Sequence, residues 1–255
     1  MNVVDCHMVL GSGSAWWDQM NPGGGVSTSL RQVNFEPSLV LDECAAAGID
    51  RACVVAPVNE DYALANRHIA EACEKHPDKL IGIAAHSPQR EEGRLRQSLT
   101  TEIRSMGLKA VRSDGPPSRE MLDVVRDLDV PLIYSPVLMP LEGPARKFFM
   151  MTEYYPEVNF IVPHMGRYWP EYNAAIETVD FVRRQPNMYF DTSAIMYVKY
   201  LERAVRLVPI EKILFGSCGP HLDPRVAVET IRILNLPREK HEKVMGGNII
   251  KLLKL

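Results

Sequence analysis

Short β-branched apolar runs and longer amphipathic stretches take turns from one end of the chain to the other. The apolar runs fall at Val3 to Val9, Arg51 to Val58, Leu80 to Ala85, Leu108 to Ser113, Pro131 to Val137, Asn159 to Pro163, Met188 to Thr192 and Lys212 to Gly216, and each has the length of a strand. Between them lie segments of helical period. SLVLDECAAAG starts at Ser38 as its N-cap and closes at Gly48, and EDYALANRHIAEACEKHP runs from Glu60 until Pro77 stops it. Others begin near Glu91, Ser118, Glu142, Glu171, Tyr197 and Pro224. Eight strands alternating with eight helices predict a parallel sheet, and 255 residues suit closure into a single (β/α)8 TIM barrel of the α/β class. An open doubly wound sheet is the alternative.

No linker or change of composition divides the chain, so residues 1–255 read as one domain with two additions. The first is the β1–α1 segment 11–37, which contains GSGSAWW and NPGGG and is far longer than an ordinary βα connection. Adjacent Trp16 and Trp17 are costly to leave in water, so the segment is expected to be a lid that packs on substrate. The second is the C-terminal helical element 237–255, broken near Gly246 and Gly247 and placed to cover one end of the barrel.

Composition narrows the function by exclusion. A net charge of -3, with no basic cluster longer than Arg183-Arg184, leaves no electrostatic footprint for nucleic acid or for an anionic membrane. No apolar run approaches the ~20 residues that span a bilayer, and the first residues lack a signal-peptide pattern, so a cytoplasmic location is expected. Five cysteines without CxxC spacing indicate neither a disulfide framework nor a zinc ribbon. The expected partner is a small-molecule substrate, and assembly as a homodimer is compatible with the sequence.

In a barrel of this kind the chemistry sits where strands end and βα loops begin. Those positions carry His7, Asn59, His86, Arg112 with Asp114, Tyr134 with Ser135, His164, Asp191 with Thr192 and Ser193, and Cys218 with His221. Four of the seven histidines therefore fall on one rim, whereas His68, His76 and His241 fall in helices or at their ends.

The blocks VDCHMVLG, IVPHMGRYWPEY, PNMYFDTS, KILFGSCGPH and GGNIIKLLKL, in that order, resemble the amidohydrolase-related family, including its aminocarboxymuconate semialdehyde decarboxylase-like members. The resemblance implies a (β/α)8 barrel hydrolase or decarboxylase, with an HxH pair on the first strand, a His after the fifth or sixth, and an Asp in a GSDxP block on the eighth. Here His7 matches the first His of the pair, but Val9 stands where the second belongs. Ser135 replaces the fifth-strand His, His164 matches the sixth-strand one, and Cys218 replaces the Asp.

The altered set leads us to expect no cofactor and a metal-independent site, with His7, His164 and Cys218 as the catalytic candidates. If a metal is retained, zinc on His7, His164 and Cys218 is the form this donor set allows. Cys218 also reads as a nucleophile or as an inert filler of the space left by the Asp. Arg112 reads as a clamp for a substrate carboxylate or as an ordinary salt bridge with Asp114 or Asp191. His86, Tyr134, Trp16, Trp17, Trp169 and His221 complete the candidate substrate-binding set. The leading expectation is an amidohydrolase-like hydrolase acting on a small cyclic or aromatic acid, ester or lactone. The alternatives are a metal-free lyase, cyclase, isomerase or decarboxylase, and a non-catalytic ligand-binding barrel.

Overall fold

The computed structural model describes residues 2–15, 31–134, 144–166, 172–195 and 197–255. All eight expected strands are present, most of them shorter than the apolar runs that announced them: β1 (Val4–Val9), β4 (Arg51–Val55), β5 (Leu80–His86), β6 (Ala110–Ser113), β7 (Leu132–Ile133), β8 (Phe160–Val162), β9 (Met188–Asp191) and β10 (Ile213–Leu214). They form one parallel sheet in the order β1-β4-β5-β6-β7-β8-β9-β10. The two edges meet. Cys6 N donates to Phe215 O (2.9 Å), Cys218 N to His7 O (2.8 Å) and Val9 N to Gly219 O (2.7 Å), so backbone bonds join β1 to β10 and its exit and close the barrel.

Helices follow the strands on the outside: α1 (Pro37–Ala47), α2 (Tyr62–Lys75), α3 (Leu95–Arg104), α4 (Arg119–Leu128), α5 (Pro144–Tyr154), α6 (Tyr172–Arg184), α7 (Val198–Leu207) and α8 (Pro224–Ile233). The start of α1 differs from the sequence expectation. Pro37 occupies the first turn and Glu36 the cap, with no side-chain cap bond, so Ser38 lies inside the helix. A proline with its φ already set and no N–H to satisfy begins a helix as well as a Ser cap does. The C-terminal stop is as expected, with Gly48 left-handed at φ 69°.

Two apolar layers result. Side chains such as Val4, Val55, Ile81, Ile83, Ile161 and Leu214 fill the barrel, and Ile249, Leu252 and Leu253 of α10 (Asn248–Leu253) join them from below. That helix, preceded by α9 (Arg238–Glu242), lies under the strands' N-terminal ends, where Gly246 packs against the backbone of Asn2 and Val4. The second layer, including Val54, Leu99, Phe148 and Phe190, lies between the barrel and the helices.

The segment read as the 11–37 loop is ordered at both of its described ends. Strands β2 (Gly11–Ala15) and β3 (Arg31–Phe35) pair antiparallel, from Gly11 opposite Phe35 to Ala15 opposite Arg31. Ser14 and Val58 exchange backbone bonds of 2.7 and 3.1 Å, fastening this ladder to the exit of β4. The approach is close enough that a Cβ on Gly13 would stand 2.7 Å from Val58 O, which explains the glycine. Trp16 and Trp17 lie outside the described residues. Among the described residues, no helix is long and apolar enough to cross a membrane.

Candidate active site at the barrel rim

Three backbone irregularities bring the rim residues together. In β1 the pairing register shifts between Asp5 and Met8, a bulge of the kind that re-aims a side chain. Buried Asp5 fixes it, since its Oδ1 accepts from His7 N (2.8 Å) and from Ser217 N (3.1 Å) across the barrel seam. Burial pushes the Asp5 carboxyl up to about 7, against the lowering contacts with Ser217 and His7.

After β8 the chain turns through Pro163–Gly166 with His164 and Met165 at φ 56° and 50°. After β10, Cys218 stands at φ 65°, its N–H on His7 O. Left-handed backbone is costly for residues with a Cβ, about 1–2 kcal/mol each, and persists where surrounding contacts impose it. Two of the three catalytic candidates are held this way.

Asp191, at the end of β9, is the hub. It is wholly buried, and its Oδ2 accepts from His7 Nδ1 (2.9 Å) while Oδ1 accepts from His164 N (2.8 Å), Ser193 N (3.0 Å) and the Ser193 hydroxyl. Burial alone would raise its carboxyl, but the His7 charge and hydrogen bond, then His164 and Ser193, bring it down to about 2. An ionised carboxylate only accepts, so His7 Nδ1 carries a proton, and so does the Ser193 hydroxyl that points at Asp191. With its proton committed there, Ser193 Oγ accepts from His164 Nδ1 at 2.7 Å. Both rings thus present a protonated Nδ1 to an acceptor, His7 to Asp191 and His164 to Ser193. Burial, then the nearby His7, pushes His164 down to about 3, so its ring is neutral at ordinary pH.

The two rings lie 4.8 Å apart between centroids. One ring nitrogen of each and Cys218 Sγ lie within 4.8 Å of one another. A tetrahedral zinc site sets such atoms roughly 3.3–3.8 Å apart, so small movements would close the set on an ion. The donor chemistry fits a divalent ion: two imidazoles, one oriented by the buried Asp191 carboxylate and the other by Ser193, and a thiol. Among the described residues this is the group with metal-ligand composition, and it contains no carboxylate oxygen.

Other sequence candidates lie elsewhere. His86 was expected to touch substrate, but its ring is fully buried on the outer face of β5. Nε2 lies 2.6 Å from Glu102 Oε2 of α3, Nδ1 lies 3.1 Å from Glu91 Oε1, and Asn66 of α2 completes the cluster. Burial would lower its pKa, yet the bonds to Glu102 and Glu91 raise it to about 9, so it is an imidazolium locked into the fold. Tyr134 was also expected at the mouth. It packs edge-on against Phe148 in the outer layer, at 5.0 Å between ring centroids.

Arg112 does stand at the rim. Among the described residues it pairs with no carboxylate directly and reaches Tyr62 Oη at 3.4 Å, while Tyr62 donates to Asp114 (2.8 Å). His221, half-buried, meets Phe35 of β3 edge-on at 4.8 Å. Trp169 and Ser135 lie outside the described residues. The linking role of Ser193 and the seam role of Asp5 were not read from sequence. A separate groove of about 910 Å³ runs between α5, α6 and α7 on the outer helical face, remote from the rim histidines.

A family model described as amidohydrolase matches residues 4–255. No curated protein matches the chain. Among solved structures, the chain is similar to 2,6-dihydroxybenzoate decarboxylase from Rhizobium, with a TM-score of 0.74 and 17% identity over 100% of this chain and 99% of that one. It is similar also to 5-carboxyvanillate decarboxylase from Sphingomonas paucimobilis, with a TM-score of 0.74 and 13% identity over 100% and 99%. A dihydroxybenzoic acid decarboxylase from Polaromonas sp. JS666, with bound manganese and 2-nitroresorcinol, matches with a TM-score of 0.71 and 18% identity over 100% and 98%. At these identities the likeness establishes the barrel fold.

Proposed function

The chain belongs to the amidohydrolase family, and from that premise we propose that it is a carbon–carbon lyase that decarboxylates a small aromatic acid at a metal-bearing barrel mouth. One observation carries the reading: His7, His164 and Cys218 converge with metal-ligand chemistry but without a carboxylate among them. Hydrolysis needs a base to activate water, and the family position for that base holds Cys218. Asp191 does not replace it, because both its oxygens are engaged by His7, His164 and Ser193. Loss of CO2 needs a cationic anchor and a proton donor, and this rim offers both. The similarity to aromatic acid decarboxylases supports the lyase alternative over the hydrolase reading first favoured from sequence. The sequence alternative is a metal-free lyase; the metal in the present reading is supported by the manganese bound in the Polaromonas decarboxylase and by the donor group at this rim.

His7, His164 and Cys218 would hold the ion, which when bound neutralises the charge of a substrate carboxylate and its neighbouring oxygen. Asp191 orients the His7 ring directly and the His164 ring through the Ser193 hydroxyl. Arg112 lies on β6, three strands from β1 and four from β10 in the sheet order, and binds a second anionic or phenolic oxygen across the mouth. His221, half-buried at the rim beyond β10 and set edge-on against Phe35, delivers the proton. The bond between ring and carboxyl breaks, its electron pair stays on the ring carbon, that carbon takes the proton, and CO2 leaves.

The test is to load the protein with Zn²⁺, Co²⁺ or Mn²⁺ and supply a panel of ortho-hydroxybenzoates, following CO2 release, beside a panel of esters and lactones, following acid release. CO2 release that falls at least ~100-fold in His221→Asn, the scale of a lost general acid, is expected. Acid release without CO2 would refute the lyase reading, and ligand binding without turnover on either panel would favour a non-catalytic barrel.

A further inference from the structure

The donor set departs from an oxygen-rich one in a way that determines which ion it holds. We infer that the rim binds a thiophilic divalent ion of the zinc and cobalt kind through the Cys218 thiolate with His7 and His164, and discriminates against manganese. The inference rests on the reading of these residues as a metal site, but not on the reaction assigned to it.

The buried carboxylates Asp191 and Asp5 stand outside the group formed by His7, His164 and Cys218. Asp191 orients His7, His164 and Ser193, and could ligate an ion only by abandoning bonds that place two of the ligands. Asp5 Oδ1 accepts from the backbone N–H groups of His7 and Ser217, and its Oδ2 is buried without a hydrogen-bond partner, but neither oxygen belongs to the group. Val9 occupies the position at which the family resemblance implies a second first-strand imidazole. Within the converging group the donor able to carry the negative charge is the Cys218 sulfur.

The fold delivers that sulfur in register with the first imidazole. Cys218 N–H is bonded to His7 O, and Val9 N–H to Gly219 O, so the β10 exit is laced to the strand that carries His7. The left-handed backbone of Cys218 turns its side chain into the group it shares with His7 and His164. Thiolate and imidazole are the donors that zinc and cobalt accept in four-coordinate sites, whereas manganese favours six oxygen-rich positions. On binding, the thiol proton is exchanged for the ion and released to solvent, so metal uptake at neutral pH liberates a proton.

Cys6 is the built-in control, because its sulfur also lies close to this region, 3.2 Å from where a Cβ on Gly216 would stand. It faces the barrel interior among Val4, Cys53 and Leu214, outside the group formed by His7, His164 and Cys218.

The experiment is a titration of chelator-stripped protein with Co²⁺, read by absorption and by proton release. The expected result is saturation at one ion, a thiolate-to-cobalt charge-transfer band in the near ultraviolet, and about one proton released. The band disappears in Cys218→Ser and persists in Cys6→Ser. In Zn²⁺/Mn²⁺ competition, Cys218→Asp shifts the preference toward Mn²⁺ by roughly ten-fold or more. Should Cys218→Ser fail to fold, alkylation of the unaltered protein with and without Zn²⁺ serves instead, with protection mapping to Cys218. A cobalt spectrum without the band, a band unchanged in Cys218→Ser, or alkylation of Cys218 that Zn²⁺ leaves unchanged would overturn the inference. An intact band without CO2 release counts against the lyase reading alone, and CO2 release at a sulfur-free centre counts against this inference alone.

Discussion

His86 offers the sharpest test of the reasoning, because the sequence places it at the substrate mouth and the structure makes it part of the fold. Its ring is fully buried between Glu102 and Glu91, with a pKa of about 9 against an ordinary value of 6.5. A histidine whose folded pKa is raised contributes stability that is fully present below about 6.5 and is lost as pH rises through about 9. The difference of about 2.5 units, at 1.36 kcal/mol each, is about 3 kcal/mol at most, of which about 2.5 kcal/mol is lost between pH 7 and pH 10. For a domain of this size that is a fall of roughly 5–10 °C in Tm.

The substitution His86→Gln removes the titration and leaves the buried Glu102 carboxylate with Asn66 but no cation. Breaking a buried pair from one side costs about 3–5 kcal/mol, so the variant is expected to lose roughly that at pH 7 and to show a flatter decline toward pH 10. Urea unfolding of both proteins at pH 7, 8, 9 and 10 measures this. Asp5, pushed up to about 7, also weakens the fold as pH rises, chiefly below pH 8, so the decisive quantity is the difference between the two proteins. A variant as stable as the parent at pH 7 would refute the reasoning. So would an equal decline in both, and a raised KM with unchanged stability would restore the substrate-binding role.

Three further substitutions test the same geometry. Asp191→Asn removes a carboxylate held at about 2, whose contribution is present above about 4 and lost as pH falls through about 2; a loss of about 2 kcal/mol at pH 7 that shrinks in acid is expected by urea unfolding. The same variant should weaken metal binding by about 10–100-fold in competition with a chromophoric chelator, because the His7 ring loses its carboxylate partner and the Ser193 hydroxyl that orients the His164 ring loses its anchor. Gly166→Ala forces a Cβ to 2.1 Å from Thr178 Oγ1 at φ 83°, and should cost at least about 2 kcal/mol by thermal unfolding, part of which returns when Thr178→Ala is added. Arg112→Ala should raise KM for an anionic aromatic acid by about 10–100-fold with Tm nearly unchanged; an unaltered KM would remove Arg112 from the substrate site.

Much of the architecture was legible because a parallel barrel strand is covered on both faces and so appears as an uninterrupted apolar run. The same property hid which way each side chain points. In LIGIAAH, Ile81, Ile83 and Ala85 fill the barrel while Leu80, Ala84 and His86 face the helices, and nothing in a run apolar on both faces marks that parity. His86 was therefore read on the wrong side, and Tyr134 with it. His7, His164 and Cys218 were legible through their motif blocks, and the structure brings all three together. What the sequence could not display were the connections between them. The β1 bulge at Asp5, the left-handed turns at His164 and Cys218, and the Asp191–Ser193 relay depend on contacts between residues up to 212 positions apart. The DTS block after β9 carried the one local hint, since Asp191 Oδ1 accepts from the backbone N–H two residues on.

The central claim is that the His7, His164 and Cys218 rim, held by Asp191, is the reacting centre of an aromatic acid lyase. It is tested most directly by labelled CO2 release from carboxyl-labelled ortho-hydroxybenzoates, comparing the zinc- or cobalt-loaded protein with His164→Ala of verified fold. The account predicts release by the former and a loss of at least ~100-fold in the variant. Turnover undiminished in His164→Ala would contradict it.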